Sequence, residues 1–173
     1  INTLKPFRNG RFFYFCSMKP EIIIFPETKC IGKNLPMSFA NYRAFELWSS
    51  FMPRRKEIKN IANNNLFNVQ INPENFGFTL TEIFQKWAVA PVTTFDFVPQ
   101  DMEELVIPEG LYAVFHFKGD QTTVAQFFNQ IYTVWLPSSG YQLDNRPQFE
   151  ILGEKYKNND PNSEEEIWIP IKK

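Results

Sequence analysis

The chain has 173 residues, of which 43% are hydrophobic and 21% charged, a composition typical of one globular domain rather than a disordered segment. The formal net charge of −1 argues against a general nucleic-acid binder, because phosphate contacts need clustered Lys and Arg side chains. Two cysteines and one histidine are too few for a disulfide framework or for the usual ligand sets of a structural zinc site.

The sequence also bears on compartment and partners. No apolar run approaches the roughly 20 residues that a transmembrane helix needs, so we predict no membrane partner. The two cysteines form no CxxC pattern, and we predict a reducing, cytoplasmic environment. We predict no cofactor and no metal ion, and the sequence indicates no oligomeric state.

Residues 1–19 are predicted to be an N-terminal extension or tail, and residues 20–173 one domain. The first half of that domain, about residues 20–100, has the order strand, helix, strand, strand. Its helix has an apolar stripe and is predicted to kink or break at Pro53. The predicted elements are a buried strand at Glu21–Phe25, an extended run from Lys29, the helix from Ala44, a strand at Leu66–Ile71, a turn of helix at Thr81–Lys86 and a strand at Trp87–Val92.

The second half, about residues 103–173, repeats this order. Its helix has an apolar stripe with the spacing i, i+3, i+4, i+7, formed by Phe128, Ile131, Tyr132 and Trp135. The predicted elements are a strand at Leu111–Phe117, a helical run that ends at Pro137, and strands at Gln148–Leu152 and Glu166–Ile171. The repeated order predicts an α+β fold of tandem βαββ halves with pseudo-twofold symmetry, in which two antiparallel sheets are flanked by helices. A ligand groove is expected between the halves.

The alternation of the last strand predicts which side chains share a face. Ile167, Ile169 and Ile171 lie on one face, and Glu166 and Trp168 lie on the other. If the isoleucines pack against the helix, Glu166 and Trp168 face away from it, toward whatever covers the second face of the sheet. We therefore predict Glu166 and Trp168 as ligand contacts; the alternatives are a solvated carboxylate and a packed core tryptophan.

Alternation also divides the side chains of the strand at Leu111–Phe117 between two faces. Small Ala113 beside Phe115 suits a face that is pressed against a helix, so Tyr112 and His116, on the other face, are predicted to point into the groove. His116 is the only histidine, and a His-based catalytic triad would depend on it alone. A single histidine on a strand is more often a packed or surface residue than a catalytic one.

Four motifs in the second half resemble those of GyrI-like effector-binding domains. Ile107–Phe115 is similar to the family's "IPxGxYAVF" strand, and Trp135–Tyr141 to its "WLPxSGY" turn. Pro147–Glu150 resembles its "PxFE" segment, and Glu166–Ile171 its C-terminal "EIxIPI" strand. The motifs occur in family order over about residues 105–171, and residues 20–100 resemble the first half of such a domain less closely.

The resemblance implies two SH2-like βαββ halves around a groove that binds bulky, hydrophobic and often cationic small molecules. In transcriptional regulators of this kind a helix-turn-helix accompanies the domain; this chain has no room for one and is expected to be a stand-alone member without direct nucleic-acid contact. The "PxFE" match adds Glu150 as a candidate ligand carboxylate. Some relatives hydrolyse reactive cyclopropane-containing compounds, which suggests a catalytic alternative.

Three functional hypotheses follow. The first is a small-molecule-binding protein, the second a hydrolase with a groove glutamate as general base, and the third a protein-interaction or inhibitor module that uses the groove or the basic run Arg54–Lys56. The candidate catalytic residues are Glu150, Glu166 and Tyr112. Helix stripes add aromatic candidates for which a core position is the main alternative. The candidate ligand-binding residues are Glu166, Glu150, Trp168, Tyr112, His116, Tyr132, Trp135, Trp48 and Phe51.

Overall fold

The computed structural model describes residues 19–158 and 160–173, which form a curled antiparallel sheet of nine strands with helices on one face. The predicted tail therefore lies outside the described residues except for Lys19. The strands are β1 (Glu21–Phe25), β2 (Thr28–Met37), β3 (Leu66–Ile71), β4 (Phe84–Pro91), β5 (Glu103–Ile107), β6 (Gly110–Lys118), β7 (Gln142–Leu143), β8 (Gln148–Leu152) and β9 (Glu164–Lys172). The helical segments are α1 (Ala44–Phe51), a 3₁₀ segment (Met52–Glu57), α2 (Gln121–Gln130), a π segment (Ile131–Trp135) and α3 (Leu136–Ser139).

The strand order confirms the predicted α+β fold of two βαββ halves. It runs β1-β6-β9-β8-β3-β4-β2-β5, with the short β7 beside β9. The first half is β2, α1, β3 and β4, and the second is β6, α2, β8 and β9. The two halves exchange their outer strands. β1 precedes the first half in the chain but pairs with β6 of the second half, and β5 precedes the second half but pairs with β2 of the first. The halves join through β3 and β8, where Asn68 lies opposite Glu150, so they share one continuous sheet rather than forming the two sheets predicted.

The face of the sheet away from the helices surrounds an aromatic core. Phe149 stacks on Trp168 at 5.5 Å between ring centroids and on Phe67 at 5.5 Å. Phe25 and Tyr112 complete the cluster with tilted or edge-on contacts. Every strand except β7 places a buried side chain in this core, which is why the sheet curls around it.

The opposite face holds two separate apolar clusters, one under each helical region. Leu47 and Phe51 of α1 are fully buried on the first half. Ile131 of the π segment packs over Phe115 and Ile169 on the second half. Burial of apolar area in these clusters holds each helix to its own half, and the gap between the clusters is filled by polar side chains.

Three local predictions differ from the structure. β1 was predicted to be buried, but it is an edge strand with a partner on one side only, and Ile24 is 67% exposed. The helical turn predicted at Thr81–Lys86 is absent from the described structure, because β4 already begins at Phe84 and pairs with β2 and β3. The second helical region continues past Pro137, which lies in the first turn of α3, where its missing N–H is tolerated.

The helix ends follow local chemistry. The break predicted at Pro53 is confirmed: α1 ends at Phe51, and Pro53 lies in the 3₁₀ segment. Gly140 ends the second helical region in the left-handed conformation with φ of 77°. No helix in the described ranges is long and apolar enough to cross a membrane.

We expect Asp120→Ala to lower the free energy of unfolding by about 1 kcal/mol. Asp120 precedes α2, and its Oδ1 accepts a hydrogen bond from the Thr122 backbone N–H at 2.9 Å. The alanine variant leaves that N–H without its side-chain acceptor. Urea denaturation measures the loss, and Asp120→Asn, which retains a side-chain oxygen, is the matched control; equal losses in both variants would contradict the capping role.

Candidate functional site

A strip of polar side chains crosses the helix-bearing face where the two halves meet. Its members come from the strands at and beside the junction, at positions whose neighbours along each strand face the aromatic core. Asn68, Gln70, Lys86 and Gln148 are all buried, which is unusual for such side chains unless they have partners. We call the following residues the polar strip: Asn68, Gln70, Lys86, Gln148, Glu150 and Glu165.

A buried ion pair lies at the centre of the polar strip. Lys86 Nζ is 3.7 Å from Glu150 Oε1, and the two side chains are only 3% and 13% exposed. The Asn68 amide donates a hydrogen bond to the second oxygen of Glu150. Burial alone would lower the pKa of Lys86, but the negative charges of Glu150 and Glu165 and the Tyr42 phenol outweigh it and raise the pKa. Lys86 is therefore protonated at neutral pH.

Two aromatic side chains reach the polar strip from opposite sides. Trp48 of α1 donates its indole N–H to Asn68 Oδ1 at 3.4 Å. Tyr132 of the π segment donates its hydroxyl to Gln148 Oε1. Burial and the charge of Glu150 raise the pKa of Tyr132, so its hydroxyl remains a donor at neutral pH. We call the region of the helix-bearing face over the polar strip, flanked by α1 and the helical region 121–139, the interhelical groove, and we treat it as the candidate ligand site.

Further aromatic rings line the edge of the interhelical groove. Tyr42, just before α1, is 54% exposed, yet its hydroxyl interacts with charges in the polar strip. Lys86 lowers the pKa of this phenol, but burial of the hydroxyl and the charges of Glu150 and Glu165 outweigh it, and the pKa is raised. From the loop before β4, Phe78 contacts Tyr132 at 4.9 Å between ring centroids. Aromatic surface from both halves therefore surrounds the charged centre.

Glu165 is the second carboxylate of the polar strip. It shares the helix-bearing face of β9 with Ile167 and Ile169, whereas Trp168 points into the aromatic core. Burial, the largest cause, and the nearby charge of Glu150 together raise the pKa of Glu165 to about 7, and Lys86 lowers this pKa by less. Glu165 therefore exchanges a proton near neutral pH.

We expect Glu165→Gln to stabilise the protein more at pH 8 than at pH 4. The folded-state pKa of Glu165 is about 7 against an ordinary value of 4.5, so the folded protein binds more protons between these values and this group costs stability as the pH rises through them. The difference in free energy of unfolding between the variant and the wild type should grow by about 1–3 kcal/mol from pH 4 to pH 8. Urea denaturation across this range measures it; a constant difference would contradict a raised pKa.

Part of the predicted site is assembled in the interhelical groove. Glu150, Trp48 and Tyr132 meet at the polar strip as described above. Phe51, at the end of α1, is fully buried, and the Trp135 ring packs edge-on against Phe115 at 5.0 Å between ring centroids. Both residues therefore pack in the core, which was the alternative to ligand contact.

The other predicted residues lie on the opposite face of the sheet. Tyr112 is fully buried, burial raises its pKa to about 12, and its hydroxyl donates to the Pro147 carbonyl oxygen at 3.0 Å. Trp168 belongs to the aromatic core and donates to Glu166 Oε2 at 3.0 Å. His116 is exposed, 3.5 Å from a Glu21 carboxylate oxygen. The predicted face groupings are correct, but the aromatic core closes the face away from the helices, so these residues do not line the interhelical groove.

The sequence patterns did not identify Lys86, Glu165 or the amides of the polar strip. The alternation of β3 carries a usable signal, since Asn68 and Gln70 alternate with apolar residues in a strand that the sequence predicts correctly. Lys86 was missed because the predicted helical turn, Thr81–Lys86, includes it, whereas in the structure it lies in β4. The predicted last strand begins at Glu166 and therefore leaves out Glu165, although strand parity places Glu165 beside the isoleucines.

Two other surface features lie apart from the polar strip. The basic run makes contacts within the chain: Arg54 pairs with Glu57 at 2.7 Å, and Arg55 donates to the Asn64 carbonyl oxygen at 2.9 Å. A cavity of about 150 Å³ lies between the 72–78 loop and the 143–146 turn, and no member of the polar strip lines it. Within the described ranges, no cluster of His, Cys, Asp or Glu residues is placed to hold a metal ion.

Comparison with known proteins places this architecture among ligand-binding domains. The chain is 26% identical over 157 residues to the transcriptional regulator BrlR of Pseudomonas aeruginosa, a match that covers 90% of this chain and 56% of BrlR. The chain thus spans about half the length of that curated relative.

Two solved structures are similar in fold. SAV2435, solved with bound tetraphenylphosphonium, has a TM-score of 0.63 and 15% identity, covering 90% of this chain and 94% of that one. The C-terminal domain of EcmrR has a TM-score of 0.65 and 16% identity, covering 88% and 96%. At these identities the likeness concerns the fold alone. The family described as GyrI-like small molecule binding domain matches residues 18–172, and the chain belongs to this family.

Proposed function

We propose that the interhelical groove binds hydrophobic small molecules, including organic cations. The observation that carries this proposal is the buried charged strip between aromatic walls from both halves. Binding sites for small molecules combine apolar and aromatic walls with a few polar groups that fix orientation, and this groove has both. The fold similarity to SAV2435, which binds tetraphenylphosphonium, supports the same class of ligand.

The energetics of the polar strip favour a functional role over a structural one. A buried ion pair such as Lys86–Glu150 contributes little net stability, because the cost of removing both charges from water offsets their attraction. A well-packed apolar junction would serve the fold at least as well. Retention of charges beneath partly exposed aromatic rings is instead suited to a ligand, which gains cation–π attraction of about 0.5–2 kcal/mol per ring from such walls.

Titration calorimetry with tetraphenylphosphonium and the neutral triphenylphosphine oxide tests this proposal. We expect both compounds to bind the wild type, and Tyr132→Ala and Trp48→Ala to weaken each by about tenfold, since one lost aromatic contact costs on the order of 1.4 kcal/mol. His116→Ala is the matched control, because His116 is exposed on the opposite face, and it should leave both affinities unchanged. Absence of binding, or equal losses in all three variants, would refute the proposal.

One observation favours a second candidate function, hydrolysis of a reactive small molecule. Glu165, with a pKa of about 7, is tuned for a general base near neutral pH. Its carboxylate would take a proton from water as the water oxygen bonds to an activated cyclopropane carbon. The ring bond to that carbon breaks in the same displacement, and the carbanion that leaves, stabilised by the electron-withdrawing groups, is then protonated by the Glu165 carboxyl, which restores the base.

Mass spectrometry with a cyclopropane activated by electron-withdrawing groups separates binding from hydrolysis. A ring-opened product that exceeds one equivalent of protein, and that is lost in Glu165→Gln, would establish hydrolysis. Stoichiometric binding without product supports the binding role alone. The cytoplasmic location and the absence of direct nucleic-acid contact by this domain remain predictions.

A further inference from the structure

The two halves place opposite charges at equivalent positions in the polar strip. The pseudo-twofold axis passes between Asn68 of β3 and Glu150 of β8, which lie opposite each other. Two residues further along β3, Gln70 lies opposite Lys86 of β4. Two residues further along β8, the register of β8 with β9 continues to place Leu152 opposite Glu165. Lys86 and Glu165 are therefore symmetry equivalents, on either side of the central Glu150.

This asymmetry divides the roles of the two carboxylates. Glu150 already has a cation and an amide donor, since Lys86 is 3.7 Å from one oxygen and Asn68 donates to the other. A ligand cation that approached Glu150 would meet the positive charge of Lys86. Glu165 is partly buried and is affected by the charges of Glu150 and Lys86. Its carboxylate has no hydrogen bond to another residue in the described part of the chain. Glu165 is thus the carboxylate available to a ligand.

The charged and titratable groups around Glu165 come from several elements. Glu150 of β8 and Lys86 of β4 face it from the sheet, and the Tyr42 phenol faces the same cluster from the loop before α1. Tyr132 of the π segment interacts with Glu150. The sequence of α2, Gln121–Gln130, contains no charged residue. Proton exchange by Glu165 therefore sets the charge of the groove, because Lys86 and Glu150 cancel each other.

We propose that Glu165 is the carboxylate that receives the positive charge of a cationic ligand, so that binding of the cation favours the ionised form of Glu165 over the protonated one. This inference rests on the proposed function and adds to it the subsite for the cation and its coupling to pH. It also makes Lys86 a specificity-determining residue, since Lys86 compensates Glu150 and leaves one free carboxylate rather than two. A neutral ligand with the same aromatic groups has no effect on the proton.

The coupling has a fixed direction. A cation favours ionised Glu165, so the affinity for the cation should rise about tenfold from pH 6 to pH 8. At the higher pH the carboxyl is already ionised, and binding does not have to displace a proton. Proton release should be roughly 0.7 per bound cation at pH 6.5 and below about 0.1 at pH 8.5, for a carboxyl that titrates near neutral pH. Triphenylphosphine oxide should bind with little dependence on pH.

Titration calorimetry of the whole chain with tetraphenylphosphonium, in phosphate and in Tris at each pH, measures proton release from the difference in heat between buffers. Glu165→Gln should bind the cation without proton release and with affinity independent of pH. Glu166→Gln is the matched control, because Glu166 is the next residue on β9 and faces the other way, and it should behave as the wild type does.

The outcomes distinguish the inference from the function beneath it. Binding of the cation by the wild type without proton release, or proton release that persists in Glu165→Gln, overturns the role of Glu165 while the binding function stands. Failure of both tetraphenylphosphonium and triphenylphosphine oxide to bind refutes the proposed function, and this inference with it. Proton release that is lost in Glu165→Gln and retained in Glu166→Gln establishes the subsite.

Discussion

Lys86→Met is expected to lower the free energy of unfolding by about 3–5 kcal/mol at pH 7, the usual cost of breaking a buried ion pair by removing one partner. The variant leaves Glu150, whose side chain is only 13% exposed, without its cation and close to Glu165. The loss should be smaller at pH 5, where protonation relieves the repulsion between the two carboxyl groups. Urea denaturation at both pH values measures the effect.

The double variant Lys86→Met/Glu150→Gln is the control for this experiment. It removes both charges and keeps side chains of similar size, so it should recover most of the stability that the single variant loses. A loss below about 1 kcal/mol in Lys86→Met, or a double variant no more stable than the single one, would contradict a buried Lys86–Glu150 pair.

Trp168→Ala is expected to lower the free energy of unfolding by about 3–5 kcal/mol, the range for truncating a large aromatic side chain in a core. Trp168 is 8% exposed and stacks on Phe149, which in turn stacks on Phe67, so its removal opens a cavity at the centre of the aromatic core. The affinity of the folded protein for tetraphenylphosphonium should change by less than about twofold, because the groove lies on the other face.

We expect Trp48→Ala to have the opposite effect, with a larger loss of ligand affinity than of stability. Trp48 is only partly buried at the edge of its cluster and donates to Asn68 in the polar strip, so its loss should affect binding more than stability. Both variants are compared at equal folded fraction, by calorimetry after the urea series. A greater loss of affinity in Trp168→Ala than in Trp48→Ala would place the ligand on the face that the aromatic core occupies and would contradict the proposed site.

The face groupings of the strands were predictable from sequence, but the face that carries the proposed ligand site was not. Parity correctly separates Tyr112 and Trp168 from Ala113 and Ile169, because successive side chains of any strand alternate between faces. The position of the groove depends on the curl of the sheet, which closes the face away from the helices around an aromatic core. That curl arises from packing between strands distant in sequence, which parity within one strand does not encode.

The sequence pattern also did not predict that the two halves exchange their edge strands. The sequence predicts β1 as the first strand of the first half, but it pairs with β6 of the second half. The corresponding outer strand of the first half, β5, pairs with β2 and was not predicted as a strand. The symmetry between Lys86 and Glu165 follows only from the pairing of β3 with β4 and of β8 with β9, so the charge arrangement of the groove required the register.

A crystal structure of the protein with tetraphenylphosphonium tests the central claim most directly, since that claim is that the ligand lies on the polar strip between the helices. We expect the phenyl rings to contact Trp48 and Tyr132, with Glu165 the carboxylate nearest to phosphorus. A ligand bound instead in the cavity beside Arg146, or on the face that carries His116, would contradict this account.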